Sequence, residues 1–371
     1  MYYKNILIGI YKKKKQKKEA NEYLKELKNL LKIFNGKVKK KFLQKKNKPN
    51  NLTFVGKGFL EKIFLYVKKN LIDTAIFDDE LSLSQIKNIE KKLKCIIIDR
   101  TKLILDIFAY RARTFYSKIQ VKLANYIYLL PRLKHMWSHL KRQKGGIGLR
   151  GPGEKEIETD KRLIKKHIII LKKKLKNIKN QILIQRKNRK NLISIALIGY
   201  TNVGKTTIIN KITKKKLLTE NKLFTTLDTK ANKFFYKKKK FILIDTIGFL
   251  RKIPTKLIES FKSSIIEIKN ANILLHIIDL SSNFIFEKFK YITNFLFELN
   301  VLNKKIILIF NKIDKIKNYN IDYLKNFFNK NFLQKKKIIY KNKKYNFLSI
   351  SSKNNKDIKK LKEIIFKETK Y

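Results

Sequence analysis

Eight consecutive residues carry the groups that could bind a chain of phosphates. They have the pattern G-x-x-x-x-G-K-[ST] and are Gly199, Tyr200, Thr201, Asn202, Val203, Gly204, Lys205 and Thr206. An apolar run at 193–198 comes directly before them, so the pattern predicts a buried strand, a glycine-rich loop and the start of a helix. Backbone N–H groups and the positive end of the helix dipole would then surround the phosphates. We expect Lys205 to reach the β- and γ-phosphates and the hydroxyl of Thr206 to hold Mg²⁺.

A second motif follows another apolar run, at 241–244. It consists of Asp245, Thr246, Ile247 and Gly248. An aspartate at a strand end can act on Mg²⁺ through water, and the backbone amide of Gly248 can bind the γ-phosphate. The motif therefore predicts the phosphate-sensing side of a nucleotide site.

Two further motifs indicate which base is bound. The first, after an apolar run at 305–310, comprises Asn311, Lys312, Ile313 and Asp314. The second, after another predicted strand, comprises Ser351, Ser352 and Lys353. A carboxylate at Asp314 can accept two hydrogen bonds from guanine, and adenine lacks that donor pair, so it would leave the carboxylate unpaired. The Ser-Ser-Lys motif is expected to support the guanine O6 atom.

A threonine-containing segment lies between the first two motifs. It comprises Phe224, Thr225, Thr226, Leu227 and Asp228. A threonine there can ligate Mg²⁺ only when the γ-phosphate is present, so we expect Thr226 to act as the switch, with Thr206 and Thr226 as the protein's metal ligands. Together the motifs predict Mg²⁺-dependent hydrolysis of GTP to GDP and phosphate by in-line attack of water. Lys205, Thr226 and Gly248 are the predicted catalytic positions.

Two positions near these motifs modify the expected chemistry. Phe249 stands where many switch GTPases have a glutamine that positions water, and a phenyl ring cannot do this. We therefore expect slow hydrolysis by the protein alone and stimulation by a binding partner that supplies the missing group. Asn202 resembles the asparagines that help hold K⁺ beside the phosphates in potassium-stimulated GTPases. An asparagine that only caps the loop is an equal alternative.

The order of predicted elements divides the chain into three parts and predicts an α/β fold. Residues 1–115 alternate strands and helices, which predicts an α/β N-terminal domain with a parallel sheet. Residues 116–190 are predicted to form a helical hairpin arm. Residues 191–371 are predicted to form a P-loop GTPase domain with a doubly wound, mainly parallel sheet and its ligand at the carboxyl ends of the strands. In the first part, Asp78, Asp79 and Glu80 could bind a metal, but we favour the interpretation that they cap the end of a strand and the turn that follows it.

The predicted arm has an apolar seam and a glycine-rich loop. The seam has the three- and four-residue spacing of a coiled coil and comprises Ile157, Ile164, Ile168, Leu171, Leu175, Ile178 and Ile182. Its predicted partner is a helix at 118–143, kinked at Pro131. The loop at 144–153 holds five glycines between Arg142 and the helix, with Arg150 inside it. Glycine permits close backbone approach, so the loop is interpreted as an RNA-contacting element, with a simple connector as the alternative.

The composition indicates a polyanionic partner but has a second explanation. The chain has 90 Lys+Arg against 28 Asp+Glu, a formal charge of +62. Such a charge is typical of proteins that bind nucleic acid or an anionic surface. However, only ten of these residues are arginine, and abundant Lys, Asn and Ile are also what AT-rich codons encode. No apolar run reaches the ~18 residues of a membrane span, and the single cysteine, Cys95, fits a reducing compartment.

The motifs together resemble those of the HflX family of GTPases. The segment at 143–162, QKGGIGLRGPGEKEIETDKR, is similar to the glycine-rich motif of that family, and 245–254, DTIGFLRKIP, is similar to its second switch. Residues 77–81 and 99–113 resemble its N-terminal domain. The resemblance covers essentially the whole chain.

That resemblance implies a partner and a place of action. It implies a cytoplasmic GTPase, monomeric away from the ribosome, that binds the large (50S) ribosomal subunit and its rRNA through the glycine-rich arm. Its role would lie in translation, in the splitting of stalled ribosomes or in ribosome assembly. Two alternatives are a non-catalytic RNA-binding assembly factor that uses GTP as a structural ligand, and a regulator bound to a membrane surface through its lysines. No stable membrane insertion is expected.

Overall fold

The computed structural model describes residues 3–133, 152–187, 192–214, 230–251, 262–282, 284–316 and 346–369. The described residues up to 179 belong to one compact unit and those from 180 onward to a second. Among the described helices, none is both long enough and apolar enough to cross a membrane. The α/β fold class predicted from the sequence is confirmed, whereas the three-part domain boundaries remain a prediction.

The first unit is built on a four-stranded parallel sheet. Its elements are β1 (Lys4–Tyr11), α1 (Lys17–Leu31), β2 (Lys37–Lys45), α2 (Lys57–Asn70), β3 (Thr74–Phe77), α3 (Leu83–Leu93), β4 (Ile96–Asp99), α4 (Arg100–Arg111) and α5 (Phe115–Leu129). The strand order is β2-β1-β3-β4, and all neighbours are parallel. The central strand β3 is buried throughout and β1 is buried over residues 5–9, as expected where helices cover both faces of a parallel sheet. The edge strand β2 is mostly exposed and rich in lysine.

Charged side chains at the carboxyl edge of this sheet are buried as ion pairs. Arg100, only 2% exposed, donates to Asp78 over 2.7 Å and also pairs with Glu26. Within the described ranges no group of three or more His, Cys, Asp or Glu residues could hold a metal. Asp78, directly after β3, is held in a buried ion pair at the end of that strand.

The predicted helical arm is present in part. α5 pairs with α6 (Pro152–Lys187) through a cluster of Ile119, Leu123, Ile168 and Leu171. Partly buried residues pack against this cluster, namely Tyr126, Ile127, Leu130, Ile164, Leu175 and Ile178. Five positions of the predicted seam thus lie in the contact.

Two details of the arm differ from the prediction. α5 ends at Leu129, and Pro131 lies in a 3₁₀ turn at Leu130–Arg132 instead of kinking a continuous helix, because proline cannot donate the hydrogen bond that an α-helix needs there. α6 begins at Pro152, so the end of the predicted glycine-rich loop belongs to the helix. Proline is favoured at a first helical position because its fixed φ suits a helix and no donor is lost.

The second unit is built on a six-stranded sheet. Its elements are β5 (Ile193–Gly199), α7 (Lys205–Thr213), β6 (Lys230–Tyr236), β7 (Lys239–Asp245), α8 (Lys262–Asn270), β8 (Ile273–Asp279), α9 (Ile285–Glu298), β9 (Lys305–Asn311), β10 (Asn346–Ile350) and α10 (Asn355–Glu368). The order is β10-β9-β8-β5-β7-β6, parallel except for β6, which is antiparallel to β7. The carboxyl ends of the parallel strands share one edge, and every described motif from the sequence lies there.

Candidate nucleotide site

The glycine-rich loop joins the end of β5 to the start of α7. Asn202 and Gly204 have φ values of +62° and +98°, and the helix begins at Lys205. A β-carbon on Gly204 would come within 2.4 Å of the side-chain nitrogen of Asn311. The loop thus turns tightly onto the helix N-terminus, as a phosphate-binding loop does, and only glycine fits at its last bend.

Lys205 lies in the interior of this loop. It is 7% exposed, and its ammonium group donates to the backbone carbonyls of Gly199 (3.1 Å) and Tyr200 (2.9 Å). Burial lowers its pKa to about 8, and the nearby charge of Asp245 opposes that shift. Because backbone carbonyls and not carboxylates accept its hydrogen bonds, the ammonium can still attract an anion that enters the loop.

Thr206 and Asp245 bring two oxygen ligands together beside Lys205. The hydroxyl of Thr206 donates to a carboxylate oxygen of Asp245 over 2.8 Å, although the two residues are 39 positions apart. A hydroxyl and a carboxylate are the hard oxygen donors that Mg²⁺ prefers. The residues present therefore fit a magnesium ion next to the phosphate loop.

The segment after Asp245 is hydrogen-bonded to the phosphate loop. The amide of Phe249 donates to Gly199 (3.1 Å), and the amide of Thr201 donates to the carbonyl of Phe249 (2.9 Å). A β-carbon on Gly248 would come within 2.7 Å of Thr201, so glycine permits this approach. The backbone of Gly248 consequently lies beside Lys205.

The neighbouring side chains of that segment point into the protein. Thr246 donates its hydroxyl to the carbonyl of Leu197 (2.5 Å), and Ile247 is 1% exposed. The ring of Phe249 lies 4.7 Å from that of Phe295 on α9. The side chains of Thr246 and Ile247 therefore anchor the segment, and their predicted part in binding the ligand stays a prediction.

Asn311 connects the base-binding motifs to the phosphate loop. Its side-chain amide donates to the carbonyl of Val203 (2.7 Å) and accepts from the amide of Ser352 (3.0 Å). The residue is fully buried. One side chain therefore joins three segments that are far apart in the sequence.

The carboxylate of Asp314 is positioned and kept ionised. It accepts a hydrogen bond from the hydroxyl of Ser351 (2.8 Å), and Lys353 lies 3.6 Å from its other oxygen. The Ser351 hydrogen bond is the largest cause of the lowered pKa of Asp314. An ionised, oriented carboxylate at this edge can accept the two donors of a guanine ring.

Lys312 and Asp279 complete the edge. Lys312 donates to the carbonyl of Asn202 and to the carboxylate of Asp279, both over 2.7 Å. Asp279 was not predicted as a site residue, although it ends a buried strand as Asp245 does. Two predicted groups, the segment at 224–228 with Thr226 and the glycine-rich loop at 144–151, lie outside the described residues.

Three family models match successive parts of the chain. A GTP-binding GTPase N-terminal model matches residues 21–109, a GTP-binding GTPase middle region matches 111–189, and a 50S ribosome-binding GTPase model matches 194–312. The last covers the strands and loops of the site from β5 to Asn311 and Lys312.

Curated relatives share much of the sequence. The GTPase HflX of Flavobacterium psychrophilum is 49% identical over 319 residues, which cover 86% of this chain and 77% of the relative. The GTPase HflX of Caldanaerobacter subterraneus subsp. tengcongensis is 42% identical over 299 residues, which cover 80% and 70%. That of Escherichia coli K12 is 39% identical over 274 residues, covering 73% and 64%.

Solved structures have the same fold. A GTP-binding protein from the hyperthermophilic archaeon Sulfolobus solfataricus in complex with GDP aligns with a TM-score of 0.51 at 25% identity over 98% of both chains. A complex of SsGBP with GDP aligns with a TM-score of 0.53 at 26% identity, again over 98% of both chains. The geometry of the site and these relatives agree on one conclusion: the chain belongs to the HflX family of GTPases, and its reaction is the hydrolysis of GTP.

Proposed function

We propose that this GTPase acts on the large ribosomal subunit as a GTP-dependent switch, in translation, ribosome splitting or ribosome assembly. The observation that carries the proposal is the match of residues 194–312 to a family described as 50S ribosome-binding GTPases. The cytoplasm is the compartment in which such a partner is met.

The charge on the arm supports an RNA partner. The seam residues Ile164, Ile168, Leu171, Leu175 and Ile178 of α6 pack on α5, and most of the basic residues of α6 whose side chains the structure describes are exposed. Among the residues of this helix whose side chains the structure describes, the exposed basic ones are Arg162, Lys165, Lys166, Lys172, Lys173, Lys174 and Lys176. A helix pair with cations along its outer side matches the phosphates of rRNA, which contribute most of the affinity in such contacts. The glycine-rich loop would continue this contact at the end of the arm.

In the hydrolytic step, each group at the edge of the second sheet has a distinct role. Lys205 and the amide of Gly248 bind the β- and γ-phosphates and stabilise the charge that develops on them. Thr206 and Asp245, the latter through water, would hold Mg²⁺, with Thr226 added when the γ-phosphate is present. Bound there, Mg²⁺ supplies positive charge next to the transferred phosphoryl group. Phe249 is buried, so the group that orients water comes from the partner.

A role for K⁺ at Asn202 is part of this proposal. The residue is exposed and left-handed, a conformation that asparagine tolerates well, so its backbone alone also explains the residue type. Hydrolysis measured in KCl and in NaCl at equal ionic strength distinguishes the two explanations. Faster hydrolysis in KCl supports the ion site, and equal rates remove K⁺ from the mechanism.

Asp314→Asn tests the guanine site. Replacing one acceptor oxygen by a donor leaves guanine with one unpaired hydrogen bond, so we expect GTP affinity to fall by about 10- to 100-fold, in line with ~1.5–3 kcal/mol for a hydrogen bond to a charged group. Xanthosine triphosphate should then bind better than GTP. Titration with fluorescent nucleotides measures both affinities. Asp106→Asn on α4, a carboxylate that pairs with Lys102, is the matched control and should leave them unchanged. Unaltered preference for GTP in Asp314→Asn would contradict the assignment.

Co-sedimentation with 50S subunits tests the ribosomal role. The full-length protein is pelleted with purified subunits in GDP and in a non-hydrolysable GTP analogue, and phosphate release is measured with and without subunits. We expect more protein in the pellet with the analogue and faster release with subunits. Gly145→Val/Gly146→Val should lose this stimulation and keep intrinsic hydrolysis. Binding without stimulation would favour the structural-ligand alternative, and flotation with anionic liposomes but no pelleting would favour the membrane alternative.

A further inference from the structure

The hairpin of β6 and β7 has a tip made of lysine. Tyr236 pairs with Lys239 at the end of the ladder, so the loop between the strands is Lys237–Lys238. Both residues are left-handed, with φ of 45° and 64°. Two-residue hairpin loops with these dihedrals favour Asn-Gly, because those residues tolerate positive φ. The chain therefore places two lysines where the backbone disfavours a β-carbon.

The part of this hairpin beyond the nucleotide site carries an excess of positive charge. Residues 233–244 contain five lysines and no aspartate or glutamate. Four of the five are exposed, and Lys239 is half-buried. Such a local excess of one sign attracts a polyanion.

Aromatic rings lie among these lysines. Phe235 is 67% exposed and pairs directly with Lys240, whose ammonium lies 6.0 Å from the ring centroid. The ammonium groups of Lys237 and Lys239 lie 5.4 Å and 5.5 Å from the ring of Phe366 on α10. An exposed ring beside cations is the combination that binds single-stranded nucleic acid, since cations hold phosphates and the ring stacks on a base.

The positive surface continues beyond the hairpin. Burial and then repulsion by Lys214, at the end of α7, lower the pKa of Lys362 on α10. α10 has five lysines against three acidic residues, so its own side chains add to the positive charge.

The position of the hairpin separates this surface from the nucleotide site. β7 runs from Lys239 at the tip to Asp245 at the site. Six residue steps along a strand span about 20 Å. The lysines of the tip thus lie too far from the phosphates of GTP to bind them, and hydrolysis does not explain them.

We infer that Phe235 and Lys237–Lys240, the hairpin surface, dock an unpaired segment of RNA. The lysines hold its phosphates, and Phe235 stacks on one base. The choice of RNA rests on the proposed ribosomal role and adds an RNA contact on the second unit. An anionic membrane fits less well, because interfacial binding needs a wider apolar face than one exposed ring.

The decisive variant is Lys237→Asn/Lys238→Gly in the full-length chain. It removes two charges and installs residues that favour the turn, so the unfolding midpoint should not fall. Binding of a short fluorescein-labelled single-stranded RNA is measured by anisotropy at several salt concentrations. We expect roughly tenfold weaker binding near 0.1 M salt and a salt slope smaller by about 1.4, the loss of two phosphate contacts to a single strand. Intrinsic GTP hydrolysis should be unchanged.

Two further variants complete the test. Lys91→Gln/Lys94→Gly on the first unit also removes two exposed lysines, one of them left-handed, and should leave RNA binding unchanged. Phe235→Ser should weaken RNA binding about fivefold or more and leave the salt slope unchanged, because it removes stacking and no charge.

The outcomes separate this inference from the ribosomal proposal. RNA affinity unaltered in both hairpin variants overturns the inference. So does loss of flotation with phosphatidylserine liposomes in a variant that keeps its RNA affinity. If the wild type does not pellet with 50S subunits but the hairpin variants lose RNA affinity, the ribosomal role fails and the RNA surface stands. If pelleting persists and no hairpin variant changes RNA affinity, the ribosomal role stands and only the hairpin surface fails.

Discussion

The two parallel sheets treat the charges at their carboxyl edges in opposite ways. In the first unit the buried cation Arg100 is paired with Glu26 and Asp78. In the second unit the buried cation Lys205 donates to two backbone carbonyls. In both sheets the strand order reverses, between β1 and β3 in the first and between β5 and β8 in the second. Open α/β sheets bind ligands at the carboxyl ends of the strands beside such a reversal. Position in the fold alone thus does not tell which edge is chemically active.

The difference lies in what satisfies each buried cation. A cation paired with carboxylates has its charge neutralised and has little left to offer an anion. A cation held by neutral carbonyls keeps its charge, and desolvation lowers the pKa of Lys205 to about 8. A buried cation held by carbonyls costs free energy in the ligand-free protein, and a bound phosphate recovers that cost by pairing with it. This difference between the two states strengthens phosphate binding.

The largest expected effect is on the paired edge. Arg100→Met removes the cation and leaves two carboxylates in a buried place, so the free energy of unfolding of the first unit should fall by about 3–5 kcal/mol. Urea unfolding measures it. Lys92→Met, which breaks an exposed pair with Glu61, is the control and should cost under about 1 kcal/mol. Lower GTP affinity in folded Arg100→Met would break the comparison, because this edge would then also serve the nucleotide.

Lys205→Ala should affect chemistry more than folding. We expect phosphate release to fall by about 10²–10³-fold, the typical effect of losing one transition-state donor. The free energy of unfolding should not decrease, because the unfavourable burial of a charge is removed. Lys211→Ala, on the exposed side of the same helix, is the control. Full activity in Lys205→Ala would show that the loop binds phosphate without this cation.

The pKa of Lys205 predicts a pH dependence of binding. Its folded pKa lies below the ordinary 10.5 of an unfolded lysine, so between about pH 8 and 10.5 the unfolded chain holds more protons and stability rises with pH. Nucleotide binding needs the protonated form. Affinity for Mg²⁺·GDP should therefore fall as pH rises through about 8, approaching tenfold per unit. Titrations between about pH 7 and 9 measure this, and a Lys205→Ala protein should show a flatter profile. A flat profile in the wild type would refute the lowered pKa.

The smallest effect concerns the link between the phosphate loop and the segment after Gly248. The hydroxyl of Tyr200 accepts from the amide of Arg251 over 2.8 Å. Tyr200→Phe removes that acceptor, at about 1 kcal/mol for one hydrogen bond. We expect faster hydrogen exchange at residues 249–251 and GDP release faster by a factor of about five. Tyr126→Phe on the arm should change neither quantity. Unchanged exchange would mean that the backbone bridge to Phe249 alone holds the segment.

Strands that are buried on both faces of a sheet could be predicted well from the sequence. The alternation of strands and helices predicted for the first part of the chain is seen from β1 to α4, and a strand buried on both faces, such as β3, is a continuous apolar run that the sequence reveals. The edge strand β6 was not predicted. Its sequence, KANKFFY, mixes exposed lysines with aromatic residues and has no regular alternation of polar and apolar residues that would indicate a strand.

Residue types at the site were predictable, whereas their mutual contacts were not. The motifs identified Lys205, Asp245 and Asp314 because phosphate, Mg²⁺ and guanine, respectively, need those groups. The bond between Asn311 and Val203 spans 108 residues and depends on how the strands are ordered. Likewise, the paired charge of Arg100 follows from the approach of α1 and β3, which no local pattern encodes.

Asn311 also has a thermodynamic consequence. Its single amide group spans the base end and the phosphate end of the site. Ordering of either end therefore restrains the other, and part of the entropy cost of binding is shared between them. Guanosine and inorganic triphosphate, added as separate molecules, should each bind far more weakly than half of the free energy of GTP binding would suggest. Nucleotide release then becomes a single cooperative event in which the contacts to the base and the contacts to the phosphates break together.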